Sequence, residues 1–179
     1  MVGRVSHLGY EAAERNVDEA VMRQAVVMQM TWIGAPTLYY GDEAGVCGFT
    51  DPDNRRTYPW GKEKQELLEF HKEAISIHKE SSALRNGSLD ILYGENNVVA
   101  YARFDKDETI VVVINRGSEK NELTIPVWRA EVPKQCEMEQ ILYSYADRYS
   151  VDSVLLPVDE GNLTLYMGEN AAAILRYRK

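Results

Sequence analysis

One stretch of the sequence decides how the chain is interpreted: Gly34-Ala35-Pro36-Thr37-Leu38-Tyr39-Tyr40-Gly41-Asp42-Glu43. Its middle, Thr37–Tyr40, is β-prone and apolar on both faces, which is typical of a parallel strand buried in a barrel. The run ends in Gly-Asp-Glu and opens into a loop rich in carboxylates and arginines, Asp51-Pro52-Asp53-Asn54-Arg55-Arg56. This pattern predicts a strand that delivers its C-terminal end to a polar site.

Amphipathic helices are predicted on both sides of this strand. The first covers 17–33, with Asn16 as its N-cap and an acid three residues later, at Glu19. Its apolar face is predicted from helical spacing to consist of Val21, Ala25, Met28 and Trp32, with Ala20 and Val27 alongside. The second covers 62–79 and is predicted to bury Leu67, Phe70, His71, Ala74, Ile75 and His78. Helix, strand, long loop and helix together make one and a half βα units.

After Ser81 the pattern changes to short β-prone runs separated by turn residues. The predicted strands are Ser88–Tyr93, Asn97–Phe104, Thr109–Ile114, Glu122–Val127, Met138–Tyr145, Val154–Val158, Asn162–Tyr166 and Ala171–Tyr177. Short strands at this spacing indicate an antiparallel sandwich. The sequence therefore predicts an α+β chain by content, with one domain over 1–81 and an all-β sandwich domain over 82–179.

Three motifs carry a family resemblance: Gly-Ala-Pro…Tyr-Tyr-Gly-Asp-Glu, Asp-Pro-Asp-Asn-Arg-Arg, and Pro59-Trp60. Together they resemble the α-amylase family of glycoside hydrolases, especially neopullulanases, cyclomaltodextrinases and maltogenic amylases. In that family a (β/α)8 barrel is followed by a C-terminal β-sandwich called domain C. The resemblance implies that 17–33 is the seventh barrel helix, 37–42 the eighth strand and 62–79 the eighth helix. Residues 82–179 are then domain C.

The resemblance also implies retaining hydrolysis of α-glucosidic bonds, with an aspartate nucleophile, a glutamate acid and a second aspartate. The last of these belongs to an Asn-His-Asp motif, which the chain does not contain. A full barrel needs about 250 residues. The expectation is therefore a chain with no catalytic residue, which supplies part of the substrate cleft and is inactive alone.

Four charged residues of the loop are candidates for contact with substrate. By resemblance, Asp51 and Arg55 match residues that bind a glucose unit on the non-reducing side of the cleavage point. Carboxylate and guanidinium groups suit adjacent sugar hydroxyls. The alternative is that the charges neutralise one another and hold the loop in shape. This bracing role is preferred for Asp53 and Arg56.

Neighbouring residues of the same region have other expected roles. Asp42 and Glu43 would point to opposite faces of a strand, so they are not a catalytic pair, and Glu43 is expected to brace the barrel end by hydrogen bonding. Tyr40 and Trp60 either stack on a sugar ring or pack within the protein. The two interpretations are equally supported by the sequence.

No metal site and no cofactor are expected. His71 and His78 lie seven residues apart on one predicted helix without a third ligand, so they are expected to pack in the core or at its rim. Asp105, Asp107 and Glu108 lack the remaining ligands of a calcium loop and are interpreted as a solvated hairpin turn.

Composition limits the class of partner. The chain has 179 residues and a net charge of −8, which argues against nucleic acid or an anionic membrane surface and is compatible with an α-glucan or maltooligosaccharide. Cys47 and Cys136 are expected to be free thiols. The first residues lack the apolar segment of a signal peptide. Because the chain resembles a fragment, this says little about where the parent protein lives, and a cytoplasmic location is the expectation.

One rival hypothesis and one assembly hypothesis complete this interpretation. The rival is a stand-alone carbohydrate-binding or protein-interaction sandwich, which needs exposed aromatic side chains on one face. Tyr143, Tyr145 and Tyr149 are the only candidate cluster, and it could equally be a core face or a contact with the barrel. The assembly hypothesis follows from the predicted strand, which would lack both of its barrel neighbours. Unpaired edges seek partners, so self-association through 17–80 is expected.

Overall fold

The computed structural model describes residues 13–15, 17–49 and 51–179. Three α-helices of this part are named here α1 (Glu19–Thr31), α2 (Gln65–Glu80) and α3 (Ser82–Asn86). Among the described residues, no helix combines the length and the apolar character needed to cross a membrane. Nine strands follow the helices, so the content is mainly antiparallel β-sheet with few helices.

The strands form one continuous antiparallel sheet in the order β1-β2-β3-β9-β5-β7-β8-β4, with β6 paired to β5. Their bounds are β1 Ser88–Glu95, β2 Val98–Phe104, β3 Glu108–Asn115, β4 Asn121–Ile125, β5 Cys136–Ser144, β6 Tyr149–Ser150, β7 Val154–Asp159, β8 Asn162–Met167 and β9 Ala171–Arg178. A 3-10 helix, Val127–Ala130, links β4 to β5. All eight strands predicted from the sequence are present, and the two-residue β6 is additional.

The sheet folds into two layers around a shared core. β5 pairs with β7 through its first half and with β9 through its second half, with a register shift between Gln140 and Leu142. The inner side chains of β4, β7 and β8 therefore meet those of β1, β2, β3 and β9. This core consists mainly of Val, Leu, Ile, Ala and Met side chains, for example Val111, Ile125 and Leu163, each of them fully buried.

The three helices cover the outer face of the β1-β2-β3-β9-β5 layer. Their buried apolar side chains form a second core with alternate residues of the strands beneath: Val26, Val27, Met30, Phe70, Ala74, Ala83, Leu84, Tyr101, Ile110, Val112, Ile114, Leu142, Ala172 and Ile174. None of the described helices covers the outer face of β7, β8 and β4. The described residues thus form a helical layer, two sheet layers and one open sheet face.

Helix α1 attaches to the sheet through polar as well as apolar side chains. The buried Arg23 donates to Ser144 Oγ and to the carbonyls of Tyr145 and Ala146, each at 3.1 Å. The buried Gln24 donates to the carbonyl of Asn115 at 2.7 Å. These partners lie far along the chain, in β3 and at the end of β5, so the donor groups of both side chains are paired on the buried face. The buried Oε1 atom of Gln24 has no hydrogen-bond partner among the described residues.

The face predicted for α1 is therefore wrong in part. Ala20 and Val27 are buried as expected, but Ala25 and Met28 are exposed. The predicted N-terminus is also displaced. Asp18 caps the helix by accepting from Val21 N at 3.2 Å, whereas the predicted cap, Asn16, lies outside the described residues.

The strand predicted over 37–42 is absent from the described residues. Positions 35–39 are irregular and positions 40–45 form turns, with Asp42 N donating to the Tyr39 carbonyl at 3.2 Å. A strand exists only when neighbouring strands take its backbone hydrogen bonds, and none of the described strands lies beside this segment. The first part is thus helix, irregular segment, turn-rich loop and helix, and a helix-strand-helix barrel unit is not formed.

Candidate functional site

The candidate site is the loop between α1 and α2, and a tight turn begins it. Gly41, with a φ of 91°, accepts backbone hydrogen bonds from Ala44 and Val46. The Glu43 carboxylate turns back to accept from Gly41 N at 2.9 Å. Glu43 therefore braces the loop as expected, although through a turn and not through a barrel strand. Burial, followed by repulsion from Glu43, raises the pKa of Asp42.

Asp51 and Arg55 are brought together by the loop. Arg55 Nε lies 2.6 Å from Asp51 Oδ1, and Arg55 Nη2 lies 2.9 Å from Asp51 Oδ2, so the pair is bidentate. Both side chains are more than half exposed. The outer edges of the carboxylate and of the guanidinium group therefore remain open to a ligand from solvent.

Asp53 and Arg56 have the bracing role predicted for them. Asp53 Oδ1 accepts from Arg56 Nη2 at 2.6 Å, and Asp53 Oδ2 accepts from Phe49 N at 2.9 Å. These two hydrogen bonds, the backbone one first, lower the pKa of Asp53. The loop also closes tightly at Gly48, where an added Cβ would lie 2.6 Å from the Asn54 Cα. The loop is therefore held in shape by its own contacts.

Two aromatic pairs lie along the same loop. The rings of Tyr39 and Tyr40 are 4.8 Å apart, and those of Tyr58 and Trp60 are 4.5 Å apart. The Tyr40 hydroxyl donates to the Arg56 carbonyl at 3.0 Å, which ties this ring to the charged segment. Trp60 is 82% exposed, so its ring is free to stack on a ligand.

The histidines and the hairpin acids act as structural groups, with one correction. His71 Nδ1 lies 2.8 Å from the Leu67 carbonyl, and His78 Nδ1 lies 2.7 Å from the Met30 carbonyl, so packing roles are confirmed. Asp105 accepts from the two following backbone amides in a turn. Glu108, however, is buried and is not part of a solvated turn. Within the described part of the chain, no cluster of His, Cys, Asp and Glu could hold a metal ion.

The tyrosine cluster proposed as an exposed surface is largely internal. Tyr143 and Tyr145 share a face, with rings 4.5 Å apart, but Tyr143 is buried and its hydroxyl accepts from Gly168 N at 2.8 Å. Tyr149 packs edge-on against Phe70 of α2 at 5.0 Å. The sequence analysis did not single out Tyr166. Its neighbours Leu165 and Met167 point inward, so strand alternation places Tyr166 on an outer face.

Comparison with known proteins finds relatives of this chain. Residues 89–141 match the family model described as Maltogenic Amylase, C-terminal domain. The chain is 41% identical over 131 residues to an amylopullulanase of Thermoanaerobacter thermohydrosulfuricus, covering 63% of this chain and 9% of that protein. It is 43% identical over 103 residues to a cyclomaltodextrinase of Thermoanaerobacter pseudethanolicus, covering 56% and 18%. These matches support a C-terminal fragment of the α-amylase family.

A solved structure extends the likeness of this α-amylase-family chain over nearly all of its length. The α-amylase from Geobacillus thermoleovorans in complex with acarbose has a TM-score of 0.78 and 25% identity, over 99% of this chain and 37% of that one. The chain spans only 9% and 18% of the length of the two curated relatives named above. The α-amylase family assignment therefore describes the C-terminal domain, and the activity of a whole enzyme is a separate question.

Proposed function

We propose that this chain is the C-terminal part of a retaining hydrolase of α-glucosidic bonds, to which it contributes domain C and one wall of the substrate cleft. The observation that carries the proposal is the exposed bidentate pair of Asp51 and Arg55 on a self-braced loop. The relatives named above, an amylopullulanase and a cyclomaltodextrinase, support the substrate class.

The chemistry of the pair suits a glucosyl unit. The carboxylate of Asp51 accepts hydrogen bonds from sugar hydroxyls, and the guanidinium group of Arg55 donates to them in a fixed fork. Because each group already holds the other, little conformational freedom is lost when a sugar binds. The exposed ring of Trp60 offers an apolar face to the same ligand.

The division of the chain is part of this proposal. Residues 1–81 would complete the catalytic barrel of the parent enzyme, and 82–179 would be domain C. Among the described residues, α1 and α2 pack against the sheet through a shared core, so the two parts are in direct contact. Limited proteolysis tests the division: cutting should begin in the turn-rich loop, within 44–61, and the sandwich should resist. Early cleavage within 82–179 would contradict it.

Catalysis is assigned to the rest of the enzyme. The purified chain should not hydrolyse starch, pullulan, cyclodextrin or 4-nitrophenyl α-glucosides, since it contains no Asn-His-Asp motif. Turnover that copurifies with the chain through two columns would contradict this. The coding sequence upstream of Met1 is the decisive observation, because an Asn-His-Asp motif there supports the proposal and an unrelated sequence opposes it.

The role of the loop is tested in the longer enzyme. Asp51→Ala and Arg55→Ala should each raise KM for maltooligosaccharides by about tenfold, the usual loss for a hydrogen bond to a charged group. Lys62→Ala, which removes an exposed cation nearby, is the matched control and should leave KM unchanged. Equal KM values for Arg55→Ala and the control would contradict the proposal that the loop lies in the cleft.

A cytoplasmic location completes the proposal. Both Cys47 and Cys136 carry free thiols, and burial raises the pKa of each one, which keeps the reactive thiolate scarce. Such thiols persist in a reducing compartment.

The rival hypothesis, a stand-alone binding module, loses the surface on which it rested, because Tyr143 is buried and Tyr149 packs on α2.

A further inference from the structure

The open face of the sandwich carries a strip of polar and aromatic side chains. On the paired strands β4 and β8, Leu123, Leu165 and Met167 point into the core, so the residues between them point outward. Two outward pairs face each other across the strands: Glu122 beside Tyr166, and Thr124 beside Thr164. We call these four residues the outer strip.

Tyr166 is the most exposed aromatic side chain of residues 88–179, all of which the structure describes. Its exposed fraction is 72%. The Glu122 carboxylate opposite it, as an acceptor for the hydroxyl and through its charge, raises the pKa of Tyr166. Next to this pair, the Thr124 and Thr164 hydroxyl oxygens lie 3.3 Å apart. The ring therefore lies at one end of a row of hydrogen-bonding groups and remains open to solvent.

A second exposed aromatic side chain, Trp128, lies at the other end of these strands. Trp128 sits in the 3-10 helix after β4, and its backbone N–H donates to the Gly161 carbonyl at 3.0 Å in the turn before β8. An added Cβ at Gly161 would come within 2.7 Å of the Trp128 Cβ, so the side chain packs closely on the turn. The four steps along the strand from Asn162 to Tyr166 span about 13 Å at roughly 3.3 Å per residue.

The charge of this face limits the class of ligand. The strands β4, β7 and β8 contain no Lys or Arg, whereas Glu122 and Asp159 are acidic. An anionic ligand such as a phosphate or a nucleic acid is therefore disfavoured. A neutral polyhydroxylated ligand fits, because its hydroxyls pair with the carboxylate and the threonines and its C–H faces stack on aromatic rings.

We propose that the outer strip, together with Trp128, binds a linear α-glucan at a second site, separate from the loop that carries Asp51 and Arg55. The choice of α-glucan among neutral sugars rests on the proposed function. The site lies on the side of the sandwich away from the helices, so it would hold a polymeric substrate without occupying the cleft.

Affinity electrophoresis of the full 179-residue chain in native gels containing amylopectin tests the proposal. We expect retardation of the wild-type chain, and a fall in apparent affinity of at least about fivefold for Tyr166→Ala and for Trp128→Ala. Ile91→Ala, which shortens an exposed side chain on β1, is the matched control and should behave as the wild type. Gels containing dextran, an α-1,6 polymer, should cause no retardation.

The outcomes separate this site from the cleft loop. Loss of binding in Tyr166→Ala but not in Arg55→Ala supports the second site, whether or not the loop serves a cleft. Absence of wild-type retardation, equal retardation by dextran, or loss only in Arg55→Ala overturns it and leaves the loop proposal standing. Gel filtration and circular dichroism check each variant. If Tyr166→Ala instead converts a dimer into a monomer, the strip is a contact between copies and the proposal is wrong.

Discussion

Glu108, the first residue of β3, holds the start of the short helix α3. Its Oε1 atom accepts from Ser81 Oγ at 2.6 Å and from Ala83 N at 3.2 Å, in a buried position. Ser81 in turn caps α3 by accepting from Leu84 N at 3.1 Å. One carboxylate thus satisfies one free amide of the helix start and orients the serine that completes the cap.

Removing this carboxylate should destabilise the chain. Glu108→Ala leaves the buried Ser81 hydroxyl and the Ala83 amide without their acceptor, so we expect the free energy of unfolding to fall by about 1–3 kcal/mol. Urea denaturation followed by circular dichroism measures the change. Asp107→Ala, in the same turn but exposed, should change stability by less than about 0.5 kcal/mol. Equal midpoints for the two variants would show that the cap has no energetic role.

Residue roles were predictable from sequence where the partner is close along the chain. Asp53 and Arg56 are three residues apart, and the sequence identified their bracing pair correctly. Glu108 was misjudged because its partners are 25 to 27 residues away. Arg23 was not singled out at all, because its partners lie more than 120 residues away. Asp51 and Arg55 were found through a motif, and their contact with substrate remains a prediction.

At the scale of elements, helix α1 shows how tertiary contacts determine which face is buried. Val27 is fully buried against the sheet, whereas Ala25, two residues earlier, is exposed. Helical spacing alone grouped Ala25 with Val21 and Met28, because it gave no weight to the polar Gln24. The Gln24 side chain donates to carbonyls of the sheet, so the side of α1 that contains Gln24 faces the sheet.

A pair of substitutions on α1 tests this orientation. Val27→Asp places an unpaired charge in the core, so we expect a loss of at least about 3 kcal/mol or failure to fold. Ala25→Asp should cost less than about 1 kcal/mol, mainly through lower helix propensity. Thermal unfolding of both variants gives the comparison. A larger loss for Ala25→Asp would mean that the other face of α1 packs on the sheet.

The loop that carries the candidate site should depend on pH through Asp53. Its pKa is lowered in the folded chain, so its contribution to loop order is fully present above the ordinary Asp pKa of about 3.9 and is lost as pH falls from there through the folded pKa. Hydrogen exchange should show a smaller protection factor for the Phe49 amide at pH 3 than at pH 6.

Two comparisons make this pH test specific. Asp53→Asn should lower Phe49 protection already at pH 6, because the charged acceptor of the Phe49 amide and of Arg56 is gone. The Val112 amide, in the central strand β3, should stay protected at both pH values and reports that the fold is intact. If wild-type Phe49 is equally protected at pH 3 and pH 6, Asp53 does not control the loop.

At the scale of the whole molecule, exposed apolar side chains occur in both parts of the described chain. Six large ones lie outside the sandwich and six within it; those outside are Val17, Met28, Ile33, Tyr39, Tyr40 and Trp60. The sequence predicted self-association from an unpaired strand, and that strand is absent. The exposed side chains outside the sandwich now provide the reason for the same expectation, since exposed apolar surface favours contact with a partner.

Association should therefore depend on α1 and on the residues just after it. We expect the average mass from light scattering to rise with concentration for the wild-type chain, and Met28→Asp combined with Ile33→Asp to reduce that rise. Leu155→Asp, a similarly exposed position on β7, is the control and should leave the rise unchanged. A monomer at every concentration would contradict the expectation. Val21 and Leu67 are poorer test sites, because neither side chain is fully exposed.

The position of β9 has a consequence for how the protein is made. This strand lies between β3 and β5 in the sheet, yet it is the last of the nine to leave the ribosome. Until Ala171–Arg178 emerge, a nascent chain holds two separate hairpin groups whose facing edges are open to any other strand. Completion of the sheet thus waits for this strand, and chaperones that shield strand edges would act on this chain during that interval.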